Sequence, residues 1–219
     1  LLCLAAAGGL EEVGRRWRGL WSGLVLAALA PGAVLSWQHD QLLARPDTRL
    51  LAAQWIEGQV PDGARIAMTG SEYGHPQVRR SRQWVQERLE DVRQAGQGGQ
   101  YLERMLGLAG YPQAPAYYVA ELQPASGAAL RSVWGPCPVD SLVSRDVGWV
   151  VTHEHPLPYS QVDAAFALQL DSQAVLVAQF DPFAAGEHPA PVYDPADAYY
   201  APLAGFAALE RPGPLIKVY

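Results

Sequence analysis

The chain carries none of the short signatures of familiar enzyme chemistry. It has no G-x-S-x-G, no G-x-x-x-x-G-K and no G-x-G-x-x-G, so neither a nucleophile elbow nor a phosphate-cradling loop is announced. Ser71, Ser81, Ser141 and Ser144 stand in no such setting, and the carboxylates are scattered along the chain. Cysteine is nearly absent. Cys3 falls in an apolar run at the start and Cys137 far downstream, so a bridge between them is implausible and the pair says nothing about redox compartment. Charge favours one sign. From His39 onward 13 Lys+Arg face 20 Asp+Glu, a net of −7, which argues against nucleic acid and against adhesion to an anionic lipid surface. With 18 prolines and 21 glycines the fold is loop-rich, but a hydrophobic fraction of 49% is too high for disorder.

The longest absence is the most informative. Gly19 to Trp37 contains no charged side chain. As a helix this run spans roughly 28 Å, near the ~30 Å hydrocarbon core of a bilayer. Arg15, Arg16 and Arg18 precede it, and the next basic residue is Arg45, so the positive-inside rule places its start in the cytoplasm. Trp17, Trp21 and Trp37 lie near its ends, where amphipathic rings favour the headgroup layer. A transmembrane helix over 19–37 is expected. A signal peptide cut near Ala28-Leu29-Ala30 and a buried core helix are the competing readings. Leu1 to Leu10 is apolar and resembles the end of a preceding transmembrane helix, with residues 11–18 as a cytoplasmic loop. The chain therefore reads as the C-terminal piece of a longer membrane protein, with residues 39–219 forming an extracytoplasmic domain.

Within that domain, His39 to Pro46 reads as a juxtamembrane link. Asp47 is placed to cap a helix over Asp47–Glu57 whose apolar stripe is Leu51, Ala52, Trp55 and Ile56. Pro61-Asp62-Gly63 is a turn before a strand at Arg65–Thr69. Val85, Leu89 and Val92 predict an amphipathic helix over 78–94, its arginines interleaved with acids as a solvated face. A short helix is expected over 101–109 and a strand over 116–122, followed by an irregular stretch, 123–147, around Gly135-Pro136-Cys137-Pro138. Strands are expected at 147–152, 174–180 and 215–219, with a helix at 160–170 and a Pro-rich loop over 181–197. Strands alternating with helices predict an α/β domain with a small, mainly parallel sheet.

His153-Glu154-His155 invites a metal reading, since an extended chain puts both imidazoles on one side. The third ligand would come from His75, His188 or a distant carboxylate. The spacing is not that of H-E-x-x-H and Pro156 marks a loop, so a polar loop is the plainer reading. Tyr117, Tyr118, Trp134, Tyr193, Tyr199, Tyr200 and Phe206 include candidates for a sugar-stacking platform, although aromatic residues more often belong to a core.

Two stretches carry a resemblance. Asp47-Thr48-Arg49, Trp55-Ile56, Pro61-x-Gly63 and Ile66 form the first. The second comprises Phe180-Asp181-Pro182-Phe183, Tyr193, Asp197-Ala198-Tyr199-Tyr200-x-Pro202-Leu203-Ala204-Gly205-Phe206 and Glu210-Arg211-Pro212-Gly213-Pro214-x-Ile216-x-Val218-Tyr219. Together they resemble the last membrane helix and outer domain of bacterial family-39 glycosyltransferases, related to protein O-mannosyltransferases and lipid A aminoarabinose transferases. The resemblance covers about residues 15–219 and is dense only at the two ends; residues 73–146 match nothing in that pattern. It implies a GT-C type enzyme that moves a sugar from a polyprenyl-phosphate carrier to an acceptor of unknown identity on the outer face. The family's acidic residue lies in an earlier loop, so no catalytic, cofactor-binding or metal-binding residue is carried over to this chain, and no cofactor is expected. A membrane-tethered ligand-binding or sensor domain is the alternative, and a secreted metal-dependent hydrolase around His153 and His155 a third.

Overall fold

The computed structural model describes residues 18–122, 139–157, 160–196 and 200–219, with the side chains of the first helix described from Ser22. That helix, α1, runs Arg18–Leu43 and passes through Pro31 without a break. The chain then turns and enters α2 (Thr48–Gln59), where the Asp47 carboxylate accepts from the Arg49 N–H as the sequence suggests. Pro61–Gly63 makes the turn into β1 (Arg65–Met68); Gly63 takes φ +79° and Asp62 accepts from the Ala116 N–H at 2.8 Å. Two outer helices follow, α3 (Arg82–Gln94), capped by Ser81, and α4 (Gln100–Gly107). The remaining elements are β2 (Tyr118–Glu121), α5 (Val139–Val143), β3 (Trp149–Glu154), α6 (Ala164–Gln173), β4 (Ala178–Phe180) and β5 (Leu215–Val218).

The five strands form one sheet in the order β2-β1-β3-β5-β4. β1 is parallel to both β2 and β3, with Ala67 opposite Ala120 and Val150; β5 is antiparallel to β3 and to β4. The domain is α/β as expected, but the sheet is mixed rather than mainly parallel. The reason lies in the last connection. A parallel return needs a crossover, usually a helix, and only loop and one 3₁₀ turn (Phe206–Ala208) separate β4 from β5 among the described residues.

Strand alternation divides the interior into two layers. Ile66, Met68, Val119, Val151, Ile216 and Val218 face α2, whose Ala52, Ala53 and Ile56 pack on them. Ala67 and Val150 face the other way, toward Leu142 of α5 and Phe166 and Leu170 of α6. Ile216 and Val218 are fully buried, while Lys217 is half-exposed and bonds Glu154 at 2.9 Å.

Several expectations need correction. Among the described residues no helix is long and apolar enough to cross a membrane, so the transmembrane helix over 19–37 is not supported as a feature of the fold. The run is helical, but α1 continues past Trp37 to Leu43 and so takes up residues 39–43 of the expected link at 39–46. The 78–94 helix begins only at Arg82, because Arg79 to Ser81 are extended alongside Tyr117, just before β2, with Arg80 bridging Tyr117. The 160–170 helix is shifted to Ala164–Gln173 by the Asp163 cap. The strand expected at 174–180 begins only at Ala178, after the helix cap at Ala174, and Val175, Leu176 and Val177 are exposed. His153 and Glu154 belong to β3 rather than to a loop. Gly135 to Pro138, Trp134, Cys3 and residues 1–17 lie outside the described residues.

Candidate functional site

In an open α/β sheet the ligand crevice lies beyond the carboxyl ends of neighbouring parallel strands whose connections depart to opposite sides. Here that point falls between β1 and β3, because the chain leaves β1 on one side to form β2 and returns on the other as β3. Thr69, Gly70 and Ser71 follow β1 there. His153, near the end of β3, lies on the same face as Val151, and the start of α2 with its cap, Asp47 to Arg49, comes to the same edge. A 3₁₀ turn, Glu72–Gly74, delivers His75.

The crevice is filled by imidazole. His153 is 1% exposed and His75 2%, their rings 5.5 Å apart and edge-on. His75 Nε2 lies 3.1 Å from the carbonyl oxygens of Thr69 and Gly70, and His153 Nε2 lies 3.2 Å from that of Ser71. A carbonyl only accepts, so both Nε2 atoms carry the proton. The fit tolerates no side chain opposite. A Cβ on Gly70, whose φ is +81°, would fall 2.0 Å from His153 Nε2, and one on Gly74 would fall 2.3 Å from the ring. His155, two residues on, is also buried. Its Nδ1 accepts from the Leu157 N–H at 3.2 Å, and its ring lies across Tyr193 and Tyr200 at 4.3 and 4.8 Å.

Burial sets the charge of this cluster. It lowers His75 to about 4, helped by the Arg80 charge; it lowers His153 to about 3, helped by His75; and it lowers His155 to about 4. All three are neutral near pH 7. Burial likewise raises the Tyr193 phenol to about 12. Nδ1 of His75, Nδ1 of His153 and Nε2 of His155 have no hydrogen-bond partner among the described residues. Those residues hold no group of three His, Cys, Asp or Glu able to bind a metal. The two inner histidines turn Nε2 to backbone and His188 is exposed, bonded to the Ala185 carbonyl. The trio therefore acts as packed, neutral filling of the crevice.

Around it the two ends of the domain are sewn together. The Thr48 N–H donates to the Pro212 carbonyl at 3.0 Å and its hydroxyl to that of Pro214 at 2.7 Å. Arg49 grips Asp47 with two bonds of 2.9 and 2.6 Å, donates to the Tyr73 carbonyl at 2.7 Å, and sets its guanidinium 5.0 Å over the Tyr200 ring. Tyr200 is buried at φ +61°, a conformation that a bulky residue adopts only when its surroundings impose it. Its hydroxyl lies 2.7 Å from that of Ser160.

Two grooves open on this edge. One, of about 430 Å³, is lined by Glu154, His155, Pro156, Ser160, Gln161, Val162, Phe183 and Leu215. It presents a carboxylate, an amide and an aromatic ring, in a volume suited to one small ligand. The other, of about 420 Å³, lies between the end of α1 (Trp37, Gln41, Leu42, Arg45) and the loop bearing His188, Phe206 and Glu210.

The residues singled out from the sequence are dispersed. Tyr117 is buried with its hydroxyl donating to the Ile56 carbonyl at 3.1 Å. Tyr118 lies under Arg65 and donates to Glu87. Tyr193 and Tyr200 flank His155, Phe206 meets His39 at the foot of α1, and Tyr199 lies outside the described residues. No stacking platform is assembled from them among the described residues. Ser81 caps α3, while the Ser144 hydroxyl donates to the Ser141 carbonyl. Arg49, Gly70, Gly74 and Gly213, which shape the edge, were not singled out as site residues. The available signal was the alternation Val151, His153, His155, which continues the buried face of β3.

No known family model matches the chain, and no curated protein or solved structure is significantly similar to it.

Proposed function

We propose that this chain is the membrane-anchored outer domain of a GT-C type glycosyltransferase that uses a polyprenyl-phosphate sugar, and that it serves a structural or acceptor-binding role rather than the chemistry. One observation carries the reading. The two segments that resemble the family-39 enzymes, about 165 positions apart in the chain, meet through Thr48, Pro212 and Pro214. Motifs that form one physical joint make a coherent likeness. Anchoring is supported by α1 itself: from Ser22 to Trp37 every residue is exposed except the half-buried Val25. The apolar residues of this run are left unpacked by the described residues, which favours an apolar surrounding. The crevice where an α/β enzyme usually works is plugged by His153, which agrees with chemistry performed elsewhere.

The test compares sugar transfer from a polyprenyl-phosphate donor by two preparations. One is membranes carrying the whole protein to which the domain is assigned; the other is residues 39–219 alone. Transfer is expected only from the membranes. Activity of the isolated piece would move the chemistry into this chain, and silence from both would remove the transferase reading. The groove beside Glu154, Gln161 and Phe183 favours the second reading, a tethered ligand-binding or sensor domain, which is what the latter outcome would leave standing.

A further inference from the structure

The groove of about 430 Å³ beside His155 is built on strand ends. Glu154, the last residue of β3, stands directly opposite Leu215, the first of β5. β4, on the far side of β5, leads through Asp181 and Pro182 to Phe183. The Phe183 backbone is held twice, its N–H donating to Asp181 at 2.8 Å and its bridge reaching Leu209. After β3 the chain folds back, the His155 N–H donating to the Ser160 carbonyl at 3.0 Å, and Gln161 follows. A carboxylate, an amide and an aromatic ring are thus set around one opening before any ligand arrives, which lowers the entropic cost of binding.

The polar groups of this groove have hydrogen-bonding capacity left over. Lys217 bonds one Glu154 oxygen at 2.9 Å. The other oxygen has no partner among the described residues, nor has the exposed Gln161 amide. His155 is 6% exposed, and because its Nδ1 accepts from the Leu157 N–H, its Nε2 carries the proton; that N–H is also unpartnered. The walls therefore hold a carboxylate that only accepts, an imidazole N–H that only donates and an amide that does both. An ammonium group only donates and an ionised carboxylate or phosphate only accepts, so each would leave one side unmet. A hydroxyl does both. Charge points the same way. Among the described residues no Lys or Arg lines the groove, which disfavours an anion. Glu154 is already neutralised by Lys217, which would repel a second cation. Phe183, 38% exposed, adds an apolar face together with Val162 and Leu215.

We propose that this groove binds a neutral, hydroxyl-rich ring, a sugar unit, with its hydroxyls on Glu154 and Gln161 and its C–H face on Phe183. The C–H groups of such a face suit the negative face of an aromatic ring. This assignment gives the acceptor-binding role named above its ligand class, and rests on that role.

The full chain, kept in a polyoxyethylene detergent that carries no sugar, is titrated with the methyl glycosides of glucose, mannose and galactose. Glucosamine and glucose 6-phosphate serve as cationic and anionic counterparts. Binding is read by saturation transfer from the protein to the ring protons and by the shift in thermal midpoint. At least one neutral glycoside is expected to bind more tightly than either charged sugar. Gln161→Ala and Glu154→Gln should each weaken it about fivefold or more, and Phe183→Ala should remove the saturation transfer. Arg88→Ala, on α3, should leave binding unchanged. Gln161 is exposed, so its variant keeps the fold even where Phe183→Ala does not, as the thermal midpoint without ligand verifies. No binding of any neutral glycoside through the millimolar range overturns the assignment, as does tighter binding of either charged sugar. Binding that survives both Gln161→Ala and Glu154→Gln puts the ligand elsewhere and overturns it too. None of these readouts involves transfer, so their failure leaves the transferase reading standing, and silence in the transfer test leaves the groove standing.

Discussion

The carboxyl edge of the sheet and the outer pair α3–α4 are built on opposite principles. At the edge, residues far apart in sequence are joined by backbone carbonyls, buried imidazoles and glycines that leave no room for a methyl group. In the outer pair contact is local and wet. α4 buries no residue fully, α3 buries only Val85 and Leu89, and the two are linked by an exposed Arg93–Glu103 pair at 2.7 Å. Long-range closure, rather than the number of charged contacts, marks where stability is concentrated. Exposed pairs exchange one hydrated state for another, whereas the joint at Thr48 closes the domain's two ends.

The sharpest way to break that contrast is Gly213→Ala. Gly213 holds φ +109°, and its Cβ would lie 2.1 Å from Thr48 Oγ1 and 2.7 Å from Asp47 Oδ1. Both the left-handed backbone and the clash act against the change, and a loss on the order of 3 kcal/mol or more is expected, read as a large fall in thermal midpoint. An unchanged midpoint would show that the joint does not hold the domain.

Acid should act next. Burial keeps His75 near 4 and His153 near 3 in the folded chain, below the ~6.5 of an unfolded histidine. Between these values the unfolded state binds more protons, so stability is full above about pH 6.5 and falls as pH drops toward 4. At pH 5 each of the two withdraws roughly 2 kcal/mol. Urea midpoints measured from pH 7.5 to 4.5 should decline over that window, and a flat profile would place the histidines in water. The smallest effect is assigned to the outer pair: Arg93→Ala should shift stability by no more than about 0.5 kcal/mol, since both partners are exposed. A loss of 2 kcal/mol there would erase the distinction between the two regions.

The same contrast governs what was legible. The Asp47 cap, the Pro61–Gly63 turn and the Ile216/Val218 face of β5 follow from local chemistry, and they appear where the residues predict them. The strand expected at 174–180 shrank to Ala178–Phe180, with Val175, Leu176 and Val177 left exposed. Hydropathy registers the apolar run but not whether the sheet has a face to bury it. His153 was read as the start of a polar loop because a polar side chain gives no sign of its own burial. That burial depends on Gly70 and Gly74, some eighty residues earlier.

By itself the sequence determined the α/β class, the helical nature of the Gly19–Trp37 run, the caps and turns, and the faces of the core strands. Each of these is decided within about one turn or one alternation of the backbone, where spacing alone selects the conformation. Tertiary structure alone decided that β5 would enter between β3 and β4 and make the sheet mixed. It alone brought Thr48 to Pro212 and Pro214, and closed His75 and His153 over the carbonyls of residues 69–71. Those contacts cross from 5 to 166 positions, and the longest of them depend on sheet order, which no local pattern encodes.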